Sequence, residues 1–206
     1  MRLHGARLAV AAANTALAAA ASVVAAGVYM QWRLGALDPS LMSNALLAGL
    51  VSVAAGCAFV STAAAVGIGA IGGVLVIVSV LFLERTLHID DPAGVVSIHG
   101  TCGAWGLLAA GLFANGRYGD GLNGVPGPVT GLFYGGASQL LAQAVGALVV
   151  AAVAFGAGYG VFQTIGRTIG NRVSPTAELD GLDMAELGTS AYPDFGRAAA
   201  PSDLQP

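Results

Sequence analysis

Three residues in one short stretch carry most of the chemistry open to this sequence: Asp90, Asp91 and His99. His99 stands in an otherwise uncharged run from Pro92 to Gly116, long enough to cross a bilayer, and falls near mid-membrane if a helix starts at Pro92. An ionisable group at that depth is costly, and the default reading is functional. The alternative is a neutral imidazole hydrogen-bonded between helices. Cys102 follows one turn later, but two ligands do not close a zinc site that needs three or four. Haem would want a second histidine in a facing span, and His4 and His88 both lie outside the apolar runs. No metal, cofactor or enzymatic activity is therefore expected. Asp91 precedes Pro92, the residue type suited to a first helical turn, so its carboxylate is placed to cap the helix and complement its dipole. Asp90, Asp91 and Pro92 would brace the helix that presents His99.

Glycines form the second pattern. Gly67–Gly72 reads GIGAIG and matches G-x-G-x-x-G, with Asp90 and Asp91 downstream at roughly the spacing of a dinucleotide site. No bounded strand precedes it, however, and the run stays apolar to Leu83. Gly69 and Gly73 lie one helical turn apart, which lets helix backbones approach closely in lipid. Gly100, Gly103 and Gly106 recur every third residue after His99, and on a helix they make a nearly continuous side-chain-free groove suited to tight helix contact.

The elements that must position these residues follow from composition. The 206-residue chain is 56% hydrophobic and only 9% charged, where a soluble domain carries about a quarter charged residues. Every cation is Arg, no basic stripe exists to neutralise phosphates, and nucleic acid is excluded as a partner. Cys57 and Cys102 sit in apolar runs and suggest no disulfide framework. Charges and turn residues divide the chain into an all-α membrane protein of about five transmembrane helices, roughly 8–30, 43–60, 63–83, 92–115 and 136–166. The long run from Pro39 to Leu83 divides near Ser61-Thr62, and Tyr118–Thr130 holds Gly and Pro at turn density. Residues 1–168 thus form a membrane region, and 169–206 a polar, acidic cytoplasmic tail. With the tail inside, Arg33, Arg85, Arg167, Arg172 and Arg197 are internal and Arg2, Arg7 and Arg117 external. Arg2 and Arg7 before an Ala-rich run imitate a signal peptide, but the run exceeds the usual apolar region of about 7–15 residues and reads as a retained span.

Specific strings refine this picture. Glu84-Arg85, Ile89-Asp90-Asp91-Pro92 and Ile98-His99-Gly100-Thr101-Cys102-Gly103-Ala104-Trp105-Gly106 resemble the tenth-span signature of the ammonium transporter (Amt/Rh) family. Asn14-Thr15 and Asn44–Val51 resemble its seventh and eighth spans, and Gly131–Gly136 with Gln139 and Gln143 the run into the eleventh. Ile169–Ser174, Gly181-Leu182-Asp183 and Ala191-Tyr192 resemble its cytoplasmic tail.

The resemblance implies half of an inverted-repeat bundle around a narrow hydrophobic pore, in the cell (inner) membrane, with ammonium or ammonia as the transported species. It implies that His99 is the second of two hydrogen-bonded histidines that relay a proton, and that Asp91 is the structural carboxylate preceding it. It implies homotrimers and a PII-type signalling protein as regulator, on a tail whose usual His-Gly-Glu is here Leu187-Gly188-Thr189. Nothing in the sequence corresponds to the first six spans. The expectation is a C-terminal transporter segment that works with a complementary N-terminal half. The alternative is a non-transporting paralogue that associates with intact subunits.

Overall fold

The computed structural model describes residues 2–117 and 127–190. Most of the expected Tyr118–Thr130 loop, and the tail residues Ala191, Tyr192 and Arg197, lie outside the described residues. The apolar runs form α1 (Arg2–Arg33), α2 (Pro39–Ala54), α3 (Thr62–Arg85), α4 (Cys102–Phe113) and α5 (Ala137–Thr168), with a wide, π-type turn at Val96–Thr101 leading into α4. Arg7–Arg33, Thr62–Arg85, Val96–Phe113 and Ala137–Thr168 are each long and apolar enough to cross a membrane, and Pro39–Ala54 is a shorter apolar helix. This is a multi-pass, all-α membrane protein. Among the described residues strand pairing is confined to single bridges, Val60 with Ala114 and Asn115 with Thr130.

The chain divides into two compact units, residues 1–152 and 153–206. The first is built on a three-helix crossing. A side chain on Gly69 of α3 would fall on the backbone of Ala18 in α1, and one on Gly73 would fall on the carbonyl of Ser22. Gly49 of α2 meets the same stretch of α1, 2.6 Å from its missing Cβ to the Ser22 Cβ. Lipid tails are as apolar as Leu, so helices in a bilayer gain from close backbone contact rather than from hiding apolar surface. Ser22 reinforces the crossing by donating its hydroxyl to the Ala45 carbonyl of α2.

Local signals set the helix ends. Asp38 caps α2, accepting the Ser40 and Leu41 N–H groups with Pro39 at the first position, and Ser61 caps α3 by accepting the Ala64 N–H. Two boundaries differ from expectation. α2 stops at Ala54 rather than near residue 60, because Ala55–Val60 folds into tight turns about Gly56. The carbonyls of Cys57 and Val60, which no helical N–H takes, accept the side-chain amide of Asn14 at 2.8 and 3.0 Å. The fourth span starts at Val96 rather than Pro92, which makes His99 its fourth residue instead of the eighth and removes the mid-membrane placement that a Pro92 start would give. Gly94 sits at φ +68°, a left-handed conformation that a right-handed helix cannot contain, and its N–H closes a turn onto the Asp91 carbonyl.

In the second unit, Ser174 caps the short helix α6 (Pro175–Asp180) by accepting the Ala177 N–H. Arg172 grips Glu178 through Nε and Nη2, and that hydrogen bond holds the Glu178 carboxyl below its ordinary value.

Candidate functional site

His99 lies inside the wide turn, where the Cys102 N–H reaches back five residues to the Ser97 carbonyl. Wide turns of this kind are frequent at functional sites. The side chains on the inner face of the turn are committed to the bundle. Ser97 and Ile98 are buried, the Cys102 thiol points to the Gly72 carbonyl of α3 at 3.6 Å, and Trp105 Nε1 donates to the Ile68 carbonyl at 3.1 Å. The opposite face carries His99 and Gly100, both exposed.

That face forms one side of a 340 Å³ groove within the first unit. Val51, Ala54 and Ala55 of α2, Gly103, Ala104 and Leu107 of α4, and Ala147, Val150 and Ala151 of α5 complete it. His99 is its one ionisable group, and among the described residues the imidazole has no hydrogen-bond partner. Such an arrangement can present one proton donor or acceptor to a small species moving along an apolar wall.

Asp91 fixes the base of the turn. It is 4% exposed, and its carboxylate accepts the Val96 N–H at 3.1 Å and the Ser97 N–H at 3.0 Å. Asp91 precedes the span, and burial alone would push its carboxyl up; the amide donors outweigh that and hold it below the usual value. It caps the wide turn from five and six residues back rather than from the adjoining position, because Pro92–Gly94 intervenes as a turn. Asp90 and Pro92 are exposed beside it.

The glycines after His99 divide. Gly106 packs against the Val51 and Ser52 carbonyls of α2, whereas Gly103 meets only the Val51 side chain and Gly100 only Val96. The continuous packing stripe expected from their spacing does not form. Gly100 and Gly103 line the open groove beside His99 instead. Among the described residues no three His, Cys, Asp or Glu side chains converge as a metal site would require.

A model of the Ammonium Transporter Family matches residues 2–192. The chain belongs to that family. Among curated relatives of this ammonium transporter family member, Amt2 of Archaeoglobus fulgidus is 42% identical over 193 residues, covering 93% of this chain and 41% of that protein. Amt1 of Haloferax mediterranei is 35% identical over 195 residues, covering 95% and 34%. Among solved structures, a sensor Amt protein matches with a TM-score of 0.76 at 32% identity, over 87% of this chain and 42% of that one. Mep2 of Candida albicans gives 0.75 at 26%, over 90% and 41%. The chain thus spans between a third and about two fifths of the length of the relatives it matches.

Residues outside the predicted site also shape this bundle. Asn14 is fully buried and holds the α2–α3 connection, and a lone amide inside an Ala-rich run was its signal. Gly94 is pressed against the Asn44 amide of α2, and the Pro92-Ala93-Gly94 string marks the turn it makes.

Proposed function

We propose that residues 1–168 form one wall of a membrane pore for ammonium or ammonia, with His99 as the proton-relaying group on that wall. A complementary wall, carried by the same polypeptide or another, would close the groove over the imidazole. The observation that carries this reading is the unpartnered His99 in an apolar groove, on a chain that spans about two fifths of its transporter relatives. An imidazole facing lipid is costly, and a covering wall with a hydrogen-bonding group relieves that cost. The apolar lining would favour passage of neutral ammonia while His99 handles the proton separately.

The proposal places the protein in the cell (inner) membrane with residues 169–206 in the cytoplasm, and includes homotrimeric assembly. Leu187-Gly188-Thr189, where the family's tail resemblance would have His-Gly-Glu, argues for weakened control by a PII-type regulator.

Methylammonium uptake into vesicles tests the reading. The 206-residue chain alone should give no uptake above empty vesicles, and co-reconstitution with the uncovered N-terminal portion of a family relative should restore it. Absence of uptake in the complemented vesicles would count for the second reading, a non-transporting paralogue that docks on intact subunits through the same open groove.

A further inference from the structure

One polar contact near His99 plays no part in the relay. Ser79 on α3 and Thr101, two residues after His99, join their hydroxyls at 2.8 Å across the α3–α4 contact. The surroundings on both helices are apolar. The pair forms a directional tie between Ser79, which is buried, and Thr101, which is half-buried.

Its geometry bears on His99. Successive residues of an α-helix step about 100° around the axis, so side chains two apart point to nearly opposite faces. Fixing Thr101 onto α3 therefore turns His99 away from α3, toward α2 and α5, where the groove lies. A wide turn holds one residue more per turn than its neighbours and can shift register by passing that residue along. Asp91 holds the Val96 and Ser97 N–H groups at the start of this turn and Ser79 holds Thr101 at its end, with the Cys102 thiol and Trp105 Nε1 reaching α3 carbonyls just beyond. The Asp91 anchor fixes where the turn begins.

We infer that Ser79 is a positioning residue: its hydroxyl, bonded to Thr101, locks the wide turn in the register that aims His99 into the groove. The functional weight of this inference rests on the pore reading above, but the aim of the imidazole can be measured without transport.

The experiment reads carbethoxylation of His99 by diethyl pyrocarbonate in the full chain in lipid nanodiscs, with site-resolved mass spectrometry and His88 as internal reference. Ser79→Ala and Thr101→Val each remove the tie with little change in volume, and Thr101→Ser keeps it. Ser79→Ala and Thr101→Val should slow His99 labelling by up to about threefold, the equilibrium factor of an average interhelical hydrogen bond. The double variant should be no slower than either single one, and Thr101→Ser should label like the parent. Labelling at the parental rate, or faster, in Ser79→Ala and Thr101→Val would overturn the inference. Faster labelling is also what general loosening would give, so slowing is a signature that a merely structural role does not produce. Uptake that does not depend on His99 would remove the pore reading and leave this result to stand or fall by itself.

Discussion

The carboxylate of Asp91 and the backbone N–H of Ser97 meet at 3.0 Å, and this contact sets where the helix of His99 begins. It spans a turn rather than a helical first position, with Gly94 in a left-handed conformation between the two partners. A charged acceptor serving two backbone donors at a buried helix start is a strong cap.

Replacing Asp91 by Ala should therefore cost about 1.5–3 kcal/mol, the range for hydrogen bonds to a charged group, and lower the melting temperature in detergent. The pH dependence has a definite sign. The folded-state carboxyl lies below its ordinary value, so its stabilisation is present above the unfolded value of about 3.9 and is lost as pH falls through the lower folded value. The melting temperature of the parent should drop as pH falls below about 4, and this component should be missing in Asp91→Asn.

Gly69 and Gly67 separate packing from mere spacing on α3. A side chain at Gly69 would collide with the α1 backbone at Ala18, whereas nothing lies within 4 Å of one at Gly67. Gly69→Val should destabilise by about 3 kcal/mol or more, because neither backbone can give way. Gly67→Ala should be neutral or gain up to about 1 kcal/mol from helix propensity. Thermal melts followed by circular dichroism compare the two directly.

Asn14 is the buried pin between α1 and the α2–α3 connection. Asn14→Leu leaves the Cys57 and Val60 carbonyls without that donor, at about 1–3 kcal/mol for each group left unsatisfied. Limited proteolysis should find faster cleavage within residues 55–61, with the rest of the bundle protected.

Much of this was legible in the sequence. Ser61-Thr62 coincides with the start of α3, and the strings around His99 pointed to the family. Register was harder to read. Pro92 is as good a first-turn residue as any, and the left-handed Gly94, pressed on Asn44 of a distant helix, together with the Asp91 cap moves the start to Val96. Gly100, Gly103 and Gly106 share a spacing but not a fate, because the neighbour each one meets depends on how α2 and α5 cross α4. Ser79 and Thr101 looked like ordinary polar residues in apolar runs, and nothing local announces that they pair.

As proposed above, His99 is the working group of a pore wall. The most direct measurement is methylammonium uptake by complemented vesicles carrying the parent chain or His99→Ala. Loss of most uptake in His99→Ala, with the melting temperature of the variant unchanged, is the predicted result. Uptake at the parental rate in that variant would contradict it.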